Sequence, residues 1–488
     1  MIENAMKLIA SRLLFPLLLT SITVVALSAC GKTDADSQKP NAVATNTQST
    51  NIDAKLEQII KQHQLTGIPS SEREIPGINS PKAQLGMKLF YTKTLGGDRT
   101  TACATCHHPM LGGGDNLSLS IGTNALDPSI LGPHRKLKSG EPGVPRNAPT
   151  TFNVAFYKKA LFHDARIERL DDDNIHTPDV NYPQADPLSG ETLVQAQARF
   201  PVTSSHEMRS DYMKTSHNQT MRRALANRLK RNWLDEFRKG FAYPDGSAED
   251  LITEQNISEA IAEFERSQVL INNPWKRYIE GDKNALSSFA KKGALLFFTP
   301  QDQGGAGCAG CHSGDFFTNE QAYNTAMPQI GAGKDSGASK TNDTGCNLVT
   351  GKKEDKFRFR TPSLLNVEVT GPWGHDGAYT SLEGITRHML SPEQSARRYN
   401  PLQLKQNGIN ISDLEKNTQE ILDSGLDLTA KPNLQDEDAT YLVSFLKALT
   451  DPCVKNRACL SKWIPKTDED DPDGMMLHAI NGENGKFL

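Results

Sequence analysis

The sequence predicts a mainly α chain of two domains related by an internal duplication, with long loops. Three observations carry this. Residues 56–65, 258–271, 285–298 and 438–449 place apolar side chains three and four apart, and no stretch alternates with period two for long. Gly86-Met87-Lys88-Leu89-Phe90-Tyr91-Thr92 leads through Gly96-Gly97 to Cys103-Ala104-Thr105-Cys106-His107. Gly293-Ala294-Leu295-Leu296-Phe297-Phe298-Thr299 leads through Gly304-Gly305 to Cys308-Ala309-Gly310-Cys311-His312, about 205 residues later. Gly and Pro fill the intervals, notably 109–149 and 300–345. With 488 residues and 37% hydrophobic content, the chain has enough apolar material for real cores. A net charge of −4, spread along the chain, offers no basic face for nucleic acid.

In chain order, the first element is an address. Lys7 and Arg12 precede an apolar run from Leu13 to Leu27, too short for a comfortable span and ending in Leu27-Ser28-Ala29-Cys30. This is similar to a bacterial lipobox, so residues 1–30 are expected to be a lipoprotein signal peptide with Cys30 carrying the lipid. Gly31, where Asp would retain a lipoprotein at the inner membrane, points to the outer membrane facing the periplasm. Residues 31–75 form a flexible tether and short helix, with Asn, Thr, Ser and Ala dominating 38–51. The two domains are expected at 76–278 and 279–465, and an acidic tail at 466–488. Asp468 to Gly474 is expected to be solvated. Asp436 and Glu437 sit where a helix dipole prefers acids. Thr380-Ser381-Leu382-Glu383 has capping-box form and opens a helix through Leu382, Ile385 and Met389.

The chemistry lies in the repeat. C-x-x-C-H is the attachment signal for c-type haem, in which two thiols bond the porphyrin and the next His binds the iron. The alternative is a zinc site built from two CxxC pairs. Zinc does not require His after both pairs. With 12 His in the chain, roughly one CxxC in forty would be followed by His by chance. Two such hits inside a repeat favour two cytochrome c-type haem domains, with His107 and His312 as iron ligands.

Further motifs lie between and after these. They are Ser120-Ile121-Gly122, Pro145-Arg146-Asn147-Ala148-Pro149-Thr150, Phe162-His163-Asp164-Ala165-Arg166 and Gln197-Ala198-Arg199-Phe200-Pro201 with Glu207-Met208. The later half has Phe359-Arg360-Thr361-Pro362-Ser363-Leu364-Leu365-Asn366-Val367 and Thr370-Gly371-Pro372-Trp373-Gly374-His375-Asp376-Gly377. Together, over residues 80–450, they resemble the bacterial di-haem cytochrome c peroxidase/MauG family. The resemblance implies that hydrogen peroxide reacts at the haem on Cys103, Cys106 and His107. There Glu207 is the catalytic acid–base and Gln197 orients peroxide or the carboxylate. It implies that the haem on Cys308, Cys311 and His312 takes Met389 as sixth ligand and receives electrons from a small cytochrome c or cupredoxin. His388, beside Met389, is a rival ligand. His375 lies near the same haem, in a polar contact or a catalytic role. One Ca²⁺ is implied, held by Asn147, Thr370 and Pro372. Homodimers are common in the family, so a homodimer is a further expectation.

Three departures bear on mechanism. Many members carry a distal His on the N-terminal haem in Ser-Ile-Gly-His, where this chain has Ser120-Ile121-Gly122-Thr123. Thr is a poor iron ligand, so this haem is expected to be open, unless His134 substitutes. His163 stands where the family has Trp, which removes an aromatic relay; a bond to a haem propionate is its alternative role. An acidic, Pro-containing insertion from Asp171 to Glu191 is read as a solvated surface loop, or as a segment that shapes haem access or binds a partner. Cys453 and Cys459 are expected to pair in an oxidising compartment, leaving Cys346 unassigned. The function expected is hydrogen peroxide reduction. The rivals are a MauG-like enzyme oxidising residues of a partner protein, which Thr123 favours and Met389 opposes, and a non-enzymatic electron-transfer cytochrome.

Overall fold

Two helix crossings, alike in detail, organise the protein. Helix Pro81–Tyr91 starts at Ser80, whose hydroxyl accepts from Ala83 N, with Pro81 in the first turn. Helix Ser288–Phe298 starts at Ser287, which accepts from Ala290 N at 3.1 Å. The first crosses Glu254–Arg266 and the second crosses Asp436–Lys447. At the crossings a glycine lets the backbones touch. A Cβ on Gly86 would lie 1.8 Å from the Ala260 carbonyl oxygen, and one on Gly293 would lie 1.9 Å from that of Tyr441. Next to these contacts stand Phe264 and Phe445.

Each crossing seeds a core. Around the first gather Leu85, Leu89, Phe90, Met221, Leu225, Trp233, Phe237 and Ile261. Around the second, Trp275, Phe297, Phe298, Phe317 and Phe445 pack ring on ring. The computed structural model describes residues 43–431, 434–466 and 471–488. Within these, Thr47–Leu488 forms one compact unit holding both cores. The signal peptide, Cys30 and residues 31–42 of the tether lie outside the described residues. Among the described residues no helix is long and apolar enough to cross a membrane.

The fold is helix-rich, as expected, and its strands are only two or three residues long. Helix Leu382–Leu390 is capped one residue later than the capping-box pattern predicts. Ser381 accepts from Gly384 N, while Thr380 donates to the Gln403 carbonyl. Cys453 and Cys459 form the expected disulfide.

Two expectations are corrected. Residues 471–488 are not a solvated tail. Met476, Leu477 and Ala479 join the first core, and Ile480–Asn481 pairs in parallel with Ile130–Leu131. Asp473 accepts from Trp233 Nε1 and Thr94 Oγ1, both at 2.7 Å. Burying Met and Leu outweighs solvating the acids, because the acids find donors. Nor is 171–191 merely a solvated loop. Ile175–His176 extends a small antiparallel sheet with Ile167–Arg169 and Ala160–Leu161. Asp186 pairs with buried Arg199 at 2.6 Å, and Asp179 pairs with Arg222, itself bound to Glu254 at 2.7 Å. The aspartates that made the segment look solvated neutralise two buried arginines.

The close crossing yields a stability prediction. Gly86→Ala forces a methyl against a backbone oxygen that no rotamer change can move, and should cost about 3 kcal/mol. Gly77→Ala, with open space around the added methyl, should stay within about 0.5 kcal/mol. Urea unfolding of both variants checks the difference.

Candidate haem site and its family

Both attachment motifs fold as a single tight turn. His107 N donates to the Cys103 carbonyl at 3.1 Å, and His312 N to the Cys308 carbonyl at 2.9 Å. The turn gathers two sulfurs and an imidazole at one place. None of the four cysteines is in a disulfide. Burial pushes the thiols up, Cys308 to about 11. Each imidazole is held by its inner nitrogen. His107 Nδ1 lies 3.3 Å from the Gly113 carbonyl oxygen, and His312 Nδ1 lies 3.1 Å from that of Phe317. A carbonyl only accepts, so Nδ1 carries the proton and Nε2 keeps its lone pair for a metal. Burial pushes both imidazoles down, His312 to about 4, which keeps that lone pair unprotonated at neutral pH.

An internal cavity of about 330 Å³ reaches from His107 to His312. Cys308, Cys311 and Met389 line its C-terminal part, and Gln197 its N-terminal part. Asn147, Thr370 and Pro372 also line it. Cys103, Cys106 and Glu207 lie outside its wall. Free thiols, a neutral imidazole held at Nδ1 and an adjoining cavity are what a covalently attached haem needs, so these residues fit that group.

His388 is removed as a rival ligand. Its Nε2 donates to the Thr325 carbonyl at 2.8 Å, and Tyr379 Oη donates to its Nδ1 at 2.8 Å. One face of helix Leu382–Leu390 buries His388 among these partners, and Met389 reaches the cavity. His375 stacks on Phe359 with centroids 3.8 Å apart and lines the cavity, and burial pushes it down to about 3.

Glu207 sits half-buried in the turn Ser205–Arg209. Thr123 braces that turn. Its hydroxyl donates to the Ser205 carbonyl at 3.1 Å, and its backbone N–H to that of His206 at 3.3 Å. Gly122 lies flat against Glu207, where a Cβ would come 2.4 Å from the Glu207 oxygen. Buried Arg135 donates to the Ile121 and Gly122 carbonyls at 2.6 and 2.9 Å. His134 next to it is exposed, with its Cβ toward Gly482.

Sequence reasoning missed the ion cluster that ties the halves together. Arg146 binds Asp343 through Nε at 2.6 Å and Nη2 at 2.8 Å, and Asp164 through Nη1 at 2.5 Å. Arg166 adds a 3.0 Å contact to Asp164. Beside this fork, Asn147 donates its backbone N–H to the His375 carbonyl and its Nδ2 to that of Leu117. His163 Nε2 donates to the Asn147 carbonyl at 3.1 Å. Neither bond uses the Asn147 side-chain oxygen. Arg146 and Asp164 stood inside quoted motifs, but only their burial reveals the pair.

Residues 80–284 match the family model for di-haem cytochrome c peroxidase. Over this stretch the chain is similar to the bacterial di-haem cytochrome c peroxidase/MauG family. It is 28% identical to methylamine utilization protein MauG of Methylophilus methylotrophus over 310 residues, covering 64% of this chain and 72% of the relative. It is 28% identical to cytochrome c551 peroxidase of Pseudomonas aeruginosa over 318 residues, 65% of this chain and 74% of the relative. Cytochrome c peroxidase Ccp of Escherichia coli is 29% identical over 314 residues, which cover 64% of this chain and 53% of that relative. The fold matches a MauG-like protein associated with microbial copper homeostasis, with TM-score 0.55, 20% identity and coverage of 81% of this chain and 98% of the other. It also matches the di-haem peroxidase BthA of Burkholderia thailandensis, with TM-score 0.50, 18% identity and coverage of 84% and 98%. The similarity to peroxidases marks the chain as an oxidoreductase, and the di-haem family model it matches implies two c-type haems.

The Arg146 fork predicts an inverted acid response. Burial alone would raise Asp343, but Arg146 beside it outweighs burial and holds it down to about 2. Its stabilisation is therefore complete above the ordinary carboxylate value and lost as pH falls toward about 2. Arg146→Met leaves Asp343 buried without its cation and Asp164 with Arg166 alone, and should cost about 3–5 kcal/mol at neutral pH. In that variant burial raises Asp343, so stability should rise on acidification through pH 5 to 4, roughly the ordinary carboxylate range. Urea unfolding at several pH values reads both slopes.

Proposed function

We propose that this protein reduces hydrogen peroxide to water with electrons from a small cytochrome c or cupredoxin. The observation that carries the reading is Met389 in the wall of the cavity that His312 also lines, with neighbouring His388 bonded elsewhere. We read 76–278 and 279–465 as two haem domains from an internal duplication, which the matched helix crossings support. Cys103, Cys106 and His107 would hold the N-terminal haem, and Cys308, Cys311, His312 and Met389 the C-terminal one. Haem bound by these residues would supply the redox chemistry, peroxide reduction at the first site and electron entry at the second. A thioether ligand favours ferrous iron, which suits an electron entry site.

Glu207 is the proton carrier in this reading. Peroxide reduction takes two electrons and two protons to give two waters. Breaking the O–O bond requires a proton to leave one oxygen and reach the other, and one carboxylate can take it and return it. Gln197, on the cavity wall, orients the substrate. Thr123 spends its hydroxyl on the Glu207 turn, so it is free of any ligand role. Asn147, Thr370 and Pro372 hold one Ca²⁺ through the Asn side-chain oxygen and two backbone carbonyls. Cys30 carries a lipid that anchors the protein at the outer membrane, facing the periplasm. A homodimer remains part of this reading by family analogy.

A MauG-like role is the second reading. Thr123 in place of a distal His favours it, and Met389 opposes it. Glu207→Gln should lower peroxidase turnover by about 10²–10⁴-fold with both haems still attached. Unchanged turnover overturns the assignment. Mixing the oxidised protein with peroxide separates the readings. Turnover that requires a reduced cytochrome supports the peroxidase, and a long-lived oxidised species that the cytochrome does not discharge supports the MauG-like enzyme.

A further inference from the structure

Glu265 is a carboxyl that the proposed chemistry does not use. It lies on helix Glu254–Arg266, is 6% exposed, and faces the cavity that His107 also lines. Among the described residues its carboxyl has no hydrogen-bond or ion-pair partner. A buried acid without a partner is costly and calls for a role.

The matched helix crossings show what is unusual about it. Gly86 meets Ala260 and Phe264, and Gly293 meets Tyr441 and Phe445. The residue after Phe264 is Glu265, and the residue after Phe445 is Leu446. Both line the cavity. One helix therefore presents an acid to the N-terminal haem site where its counterpart presents a leucine to the C-terminal one.

Charged groups on the elements packed around Glu265 are engaged elsewhere. On Pro81–Tyr91, Lys82 pairs with Glu259 and Lys88 with Glu236. On Asn218–Leu229, Arg222 pairs with Glu254 and Asp179. Arg266 pairs with Glu263 on the same helix. Leu193–Ala198 carries no charge, and His107 is held neutral. The Cys103 thiol is near enough to be raised by Glu265, after burial, and more weakly by Glu207; it becomes a thioether on haem attachment. With nothing to offset it, burial pushes Glu265 up to about 8.

We propose that Glu265 is the proton partner of the N-terminal haem, binding one proton for each electron that reaches the His107 site and releasing it when the electron leaves. An electron adds one negative charge beside the cavity. A carboxylate with no cation nearby answers by taking a proton from solvent, so its oxygen gains an O–H bond and the region gains no net charge. Oxidation reverses both steps. Leu446 offers no such site, so the C-terminal haem changes charge without a proton at this position. The proposal rests on haem binding at His107 and is independent of Glu207 as the catalytic group.

Redox titration of the holoprotein at an electrode, following each haem optically across neutral and mildly alkaline pH, tests it. One proton per electron moves a potential by about 59 mV for each tenfold change in proton concentration. The N-terminal haem of the native protein should approach that slope above about pH 8, where Glu265 is ionised in the oxidised protein, and lose it toward neutral pH, where Glu265 already holds its proton. Glu265→Gln and Glu265→Leu should flatten it and leave the C-terminal haem unchanged. Glu207→Gln should keep the slope even where it abolishes turnover. A slope that persists in both Glu265 variants, or that disappears in Glu207→Gln, overturns the proposal. Should neither Glu265 variant take up haem, proton uptake on reducing the native protein in weakly buffered solution decides. Uptake of about one proton with the N-terminal haem supports it, and none overturns it.

Discussion

Arg146 carries the constraint on which the site depends. Its guanidinium is buried between Asp164 from the earlier half of the chain and Asp343 from the later half. Neither aspartate tolerates burial as an anion alone, and the arginine tolerates it no better. Each charge is kept only because the other two are in place, so the halves dock in one register. Asn147, the next residue, is thereby set against the His375 and Leu117 carbonyls, at the wall of the shared cavity. The haem sites open into one space because a three-membered ion pair holds their supports together.

Within that frame the two attachment turns are built alike and surrounded differently. Both imidazoles are anchored at Nδ1 by a backbone carbonyl, which leaves the same nitrogen for iron. Beyond that the chemistry diverges. The C-terminal site is lined by Met389, Leu442 and Leu446, a thioether in an apolar wall, as the proposed electron-entry role requires. The N-terminal site has Gln197 and Glu265 on its cavity and Glu207 on a braced turn nearby. Polar, proton-bearing groups gather at the site to which the proposed function assigns peroxide. The difference between the sites is one of neighbours, with identical ligands beneath.

The Thr123 side chain has a structural use. A short hydroxyl cannot replace an imidazole as an iron ligand, but it reaches the Ser205 carbonyl and ties down the turn that carries Glu207. His163 follows the same logic. In place of a Trp it presents a ring N–H that bonds the Asn147 carbonyl. In both cases a departure from the family pattern is absorbed by a hydrogen bond to a neighbouring backbone oxygen.

The helix periods and the repeated glycines were legible in the sequence, because each is a local property of a few neighbouring residues. A thiol pair followed by His means the same wherever it occurs, and a 3.6-residue period reports its own buried face. What the tertiary structure alone decided depends on residues far apart in the chain. Asp473 reads as a solvated acid until Trp233 and Thr94 are brought to it. Asp179 and Asp186 read as a loop until Arg199 and Arg222 lie beneath them. His388 stands as a rival to Met389 on paper, and the chain separates them by bringing Tyr379 and Thr325 to one face of their helix. Glu265 passes for a polar residue on an amphipathic helix until packing strips its water and offers no partner in return. The cost of burying a charge or a polar group is set by distant partners, and no local pattern encodes them.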